Sequence, residues 1–235
     1  MKRKLFISYT LMLLTFGILA GCGSENTANN AEQEKDIEKY FASNESEFGK
    51  EHSIYLDQEK RQVKVYATVN GKYLEKPTRH GLNWIEGSNG KKSVFDAYAN
   101  PLAFYQALME IGGTPALEKG GDKEEAFREN EEGKFIKGDK VEVQITWENA
   151  DEIYDINEVM VDSTGKKIAY HFGGNYEAAK DKMTGCFMCF DSCPVGIISN
   201  ASQPVGTFKN GKAEFHGNPE VLPEDGTPVT LIYQF

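Results

Sequence analysis

The sequence predicts an α+β fold, mostly antiparallel β, with one principal helix over 101–111 and an irregular cysteine-containing loop near 183–200. Three observations point there. Apolar residues alternate at Val63, Val65, Ala67 and Val69, and again at Val141, Val143, Ile145 and Trp147, the period of a half-buried strand. Asn-Gly or Gly-containing turns at 70–71, 87–90, 162–165 and 210–211 punctuate the apolar runs. A single segment, opened by Asn100-Pro101 and stopped by Gly112-Gly113, carries strong helix signals at both ends.

Taken in order, the chain begins with Lys2, Arg3 and Lys4 ahead of a mostly apolar run from Leu5 to Leu19, short for a spanning helix and laid out as an export signal. The run ends in Leu19-Ala20-Gly21-Cys22, which resembles the lipobox of bacterial lipoproteins, whose cysteine is lipidated and becomes the first mature residue. The expected organisation is a lipoprotein signal peptide over 1–21, a lipidated Cys22 with a flexible tether over 22–46, and one β-rich domain over 47–235. Loss of residues 1–21 removes three basic residues and no acidic one, shifting the formal charge of -10 to about -13. Such an acidic chain argues against nucleic acid as a partner. It also lacks the basic surface that anionic lipid attracts, so the acyl chains on Cys22 are expected to hold it to the extracytoplasmic face of the cell membrane, within reach of an envelope protein partner.

A short helix is expected within 31–41. The strand at Val63–Val69 finds its partner in Ile54–Leu56, and strands over 81–86 and 92–98 are expected to form a hairpin through Gly87-Ser88-Asn89-Gly90. The helix then presents Leu102, Tyr105, Leu108 and Met109 to the sheet. Residues 114–139, rich in Gly, Lys and Glu, read as an exposed excursion with a short helix over 123–130. Beyond the strand at 141–147, two further hairpins are expected: 157–161 with 167–172, and 204–208 with 213–215. Pro228–Phe235 closes the chain as a strand.

Three of the four cysteines lie in Cys186-Phe187-Met188-Cys189-Phe190-Asp191-Ser192-Cys193-Pro194, a C-x2-C-x3-C-P array. It reproduces the last three ligands and the proline of the bacterial ferredoxin run, with Met183 standing where the first cysteine would be. Three outcomes stay open. The thiolates hold an iron-sulfur cluster with an open iron, or two of them bridge and leave one thiol, or Cys186, Cys189 and Cys193 bind a soft metal ion with Met183 as an accessory thioether. Export through a signal without twin arginine favours the bridge, because clusters are built inside the cell and the exterior is oxidising.

Several segments together resemble a YdjY-type domain, a family of bacterial exported or lipid-anchored proteins often described as ferredoxin-like. They are the 79–98 strands running into the helix Pro101–Gly113, the strand Val141–Trp147, the stretch Tyr170-His171-Phe172-Gly173-Gly174-Asn175, and Thr184-Gly185-Cys186 through Cys193-Pro194-Val195-Gly196-Ile197-Ile198-Ser199-Asn200. The resemblance implies a redox or metal centre in the cysteine segment, served by a membrane partner; the alternative is a non-catalytic binding module braced by a disulfide.

Among the histidines, His171 lies closest in sequence to the cysteines and is the one expected as an accessory ligand, whereas His52, His80 and His216 show no convergent partners. Ser192 and Ser199 sit in no nucleophile motif, and neither G-x-S-x-G nor H-E-x-x-H occurs, so no catalytic residue is assigned.

Overall fold

The computed structural model describes residues 36–116 and 132–235. The signal peptide, Cys22, most of the expected tether and the expected helix over 123–130 lie outside the described residues. Lys35–Phe235 form one compact unit. Within it, Ile37 and Tyr40 are already buried, so side-chain packing starts ahead of residue 47.

Twelve strands are described. β1 (Ile54–Asp57) and β2 (Gln62–Val69) pair antiparallel, as the alternation predicts, with Val63, Val65, Ala67 and Val69 buried and the intervening residues half-buried. β3 (His80–Trp84), β4 (Ser93–Ala97), β5 (Lys140–Trp147), β8 (Tyr170–Phe172), β9 (Cys186–Cys189), β10 (Ile198–Asn200) and β12 (Pro228–Gln234) join β2 in a closed ring, in the order β2, β12, β5, β8, β10, β9, β3, β4 and back to β2. β1 and β6 (Tyr154–Asp155) extend this barrel at its side, and β7 (Met160–Asp162) pairs with β11 (Phe215–Gly217) as a separate ribbon. Among the described residues every ladder is antiparallel except β3 with β4 and β9 with β10.

Residues 36–38 are helical, within the span 31–41 where a short helix is expected, and the described residues hold four complete helices besides: α1 (Lys72–Glu75), α2 (Pro101–Glu110), α3 (Ile156–Val159) and α4 (Tyr176–Lys182). α2 is the expected principal helix. Asn100 caps it by accepting from the backbone N–H of Leu102 and Ala103, each at 3.0 Å, which satisfies two of the donors a helix start leaves open. Phe104 stacks on Phe187 of β9 at 4.8 Å and meets Tyr233 of β12 at 4.7 Å. Those two strands stand opposite each other in the ring, so α2 delivers its aromatic side chains into the barrel's interior, where they and the inward faces of the strands make one core.

The expected hairpins are corrected. β3 and β4 run parallel, with His80 beside Ser93 and Trp84 beside Ala97, because the 85–92 connection returns along the barrel instead of reversing. Its glycines serve close packing: a Cβ on Gly87 would stand 2.6 Å from the Gly185 Cα. Residues 156–159 are helical, since Asp155 and Glu158 form a reciprocal capping box, and β7 beyond them pairs with β11 rather than with 167–172. Residues 204–212 form successive turns, which leaves no strand at 204–208. The segment expected as an irregular loop instead contributes β9 and β10 to the ring, and its irregular part shrinks to 190–197 between them.

Candidate metal centre

In a regular strand, residues three apart point to opposite faces. Cys186 and Cys189 escape that rule through irregular pairing with β3: Asn83 faces Cys186, Leu82 faces Met188 and His80 faces Cys189, with register shifts on either side of Leu82. Phe187 packs inward on Phe104, while both cysteines turn away from the main core into a small separate cluster with Cys193 and Val195. His80 enters the same space from β3. Its Nδ1 lies 3.6 Å from the Cys186 Sγ, and the ligating atoms of His80, Cys186 and Cys189 all fall within 4.8 Å of one another. All three are nearly sealed from solvent, at 9, 1 and 0 % exposure.

The loop 190–197 roofs this space and is held down polar group by polar group. Asn175 donates to the carbonyls of Cys193 (3.0 Å) and Gly196 (2.8 Å), and Ser192 accepts from the Ile136 N–H and donates to the Asn200 carbonyl. Ser192 is thereby structural. Gly196 crosses so near the Cys189 sulfur that a Cβ there would stand 2.9 Å from it. Asp191, fully buried, accepts from Arg79 Nη2 at 2.9 Å.

The electrostatics separate the two strand cysteines. The Cys189 thiol, as donor, pulls Cys186 well below the ordinary thiol range; burial opposes this, and His80 and Thr184 reinforce it. Hydrogen bonding to Cys186 and Cys193, together with complete burial, pushes Cys189 well above that range. Burial draws the Arg79 guanidinium down, yet Asp191 and the thiols of Cys193 and Cys189 outweigh it and hold it above its usual value.

Cys186, Cys189 and Cys193 stand as free thiols in this structure, where the sequence favours a bridge. The reason for the strand pair is the strand itself, since an extended segment carries residues three apart well beyond the about 4.4–6.8 Å between Cα atoms that a disulfide spans. Neither accessory ligand joins the group. His171 sits on β8, where its Nδ1 pairs with the Gly138 carbonyl at 2.9 Å, and Met183 ends α4 with a left-handed backbone and a side chain open to solvent. His80, not His171, is the histidine that stands beside the cysteines. It lies 106 residues from Cys186, a distance no local spacing reveals, and the readable hint was its position at the head of a strand in the segment carrying the family resemblance.

Two sulfurs and one imidazole form a donor set for zinc and softer ions. Beside them a pocket of about 290 Å³, lined among others by Arg79, His80, Cys186 and Cys193, leads outward.

The model of the YdjY domain matches residues 54–234 of this chain. The protein named Uncharacterized protein YdjY from Escherichia coli (strain K12) is 40% identical over 226 residues, which cover 95% of this chain and 92% of that one. No solved structure matches the chain.

Proposed function

The chain belongs to the YdjY domain family, and from that premise we propose that it is a lipid-anchored protein of the cell envelope whose His80, Cys186 and Cys189 bind a single zinc-type metal ion. One observation carries the metal assignment. Bonds of about 2.3 Å to sulfur and about 2.05 Å to nitrogen at a tetrahedral angle put the two donor atoms about 3.6 Å apart, and the Cys186 Sγ and His80 Nδ1 are 3.6 Å apart. That pair matches the spacing of two donors on one ion, and Cys189 completes a group whose ligating atoms lie within 4.8 Å of one another. Cys193 falls outside the group whose atoms converge within 4.8 Å, so the single ion is assigned to His80, Cys186 and Cys189. The anchor rests on the lipobox ending at Cys22 and the basic flank before it. Among the described residues no helix is long and apolar enough to cross a membrane; attachment is assigned to the acyl chains on Cys22 from the lipobox.

The test is elemental analysis of the mature protein isolated from its own envelope. About one metal ion per chain is expected, lost on chelation with a matching rise in alkylatable thiols. Metal-free protein whose Cys186 alkylates at once would instead define a reactive thiol centre.

A further inference from the structure

Three protein donors leave a tetrahedral ion one position short. We propose that this position opens into the adjoining pocket and takes a small anion, a carboxylate or thiolate, which is held at its other end by Arg79; this rests on the metal reading above. The alternative fourth ligand, Cys193, touches Cys189 but lies outside the group whose atoms converge within 4.8 Å. Its backbone carbonyl is tied down by the Asn175 amide at 3.0 Å.

The pocket reaches the centre from the Cys186 and His80 side, and its wall combines Arg79 and Lys209 with the apolar Pro194, Val195 and Val205. Arg79 spends Nη2 on Asp191, while its Nε is buried and finds no hydrogen-bond partner among the described residues. That Nε lies too deep for a pocket ligand to touch, so the anion is assigned to the part of the Arg79 side chain that stays exposed, 32% of it, in the pocket wall. Glu132 is the acidic residue of the lining, and it is exposed. An ion neutralised by two thiolates, beside an Arg79–Asp191 pair that is itself neutral, adds no charge that would repel an anion. A pocket of about 290 Å³ restricts the ligand to a few heavy atoms.

Cobalt(II) loaded into the full mature protein reads each part separately, since sulfur-to-cobalt absorption scales with the number of bound thiolates and the visible bands report the remaining ligands. With azide as probe, the expected result is two-thiolate absorption that Cys193→Ser leaves unchanged, and visible bands that azide shifts saturably. Arg79→Lys keeps the charge facing Asp191 but loses the guanidinium fork, and should weaken azide about tenfold without altering the thiolate absorption. Thiolate absorption that falls by about a third in Cys193→Ser, with no azide response, would make Cys193 the fourth ligand; it would overturn the open position and leave the metal site standing. An azide shift indifferent to Arg79→Lys overturns the anion subsite. No thiolate absorption at all overturns the metal reading and this inference with it.

Discussion

Asp191 has no exposed surface and yet carries a carboxylate, satisfied by Arg79 at 2.9 Å and more weakly by the Phe208 N–H at 3.4 Å. Removing one partner of a buried pair leaves the other uncompensated. Because the Arg79 side chain keeps 32% of its exposure, Asp191→Ala should cost about 2–4 kcal/mol in urea unfolding, toward the low side of what a fully buried pair loses. Asp96 behaves oppositely. Burial pushes its carboxyl above 3.8 against the hydrogen bonds of Asn70 and Ser93, so the folded protein holds that proton more tightly than the unfolded chain. Its contribution to stability is therefore fully present below 3.8 and lost as the pH rises through the folded-state value. Asp96→Asn should raise the melting temperature near about pH 7, with the gain fading to nothing by about pH 3. At the centre, His80→Ala and Cys186→Ser should each weaken metal binding by more than about 100-fold in chelator competition, beyond what loss of an outer partner costs, while His171→Ala should leave it unchanged. Cys186 and Cys189 were legible because two soft ligands sit three residues apart in the chain. His80 was not, because what unites it with them is the pairing of β3 with β9, a property of the fold rather than of any local stretch.

At the scale of elements, α2 was readable almost to the residue, since its start and stop are written in side chains that act locally: the Asn100 cap, Pro101 and the glycine pair. Leu108→Ala should cost about 2–5 kcal/mol, as befits a fully buried leucine, and Asn100→Ala about 1–2 kcal/mol for the two donors it would orphan; both are checked by denaturant titration, with unchanged slope expected. Strand existence was legible for the same local reason, but strand partnership was not. A turn glycine announces that the chain bends and leaves open whether it returns beside the strand it left. Gly87 and Gly90 belong to a connection that hydrogen-bonds to 183–184 and delivers β4 parallel to β3. Asp155 and Glu158 form a capping box that starts a helical turn inside the stretch where the sequence predicts a strand over 157–161.

For the molecule as a whole, Cys22→Ala should release the protein from the membrane fraction into the soluble envelope fraction, and continued full retention would assign attachment to another contact. The barrel carries a further consequence, one of timing. Its ring is completed by β12, which pairs with β2 on one side and β5 on the other, setting Leu231 beside both Val65 and Ile145. Among the described residues no earlier segment fills that place, so a chain still being made has a gap in its ring until β12 appears, and contacts this far apart in sequence form late. A chain truncated after Thr227 should show no cooperative melting transition. In a polypeptide exported as proposed here, the barrel would close only once β12 has crossed the membrane, which leaves the segments before it free to be threaded.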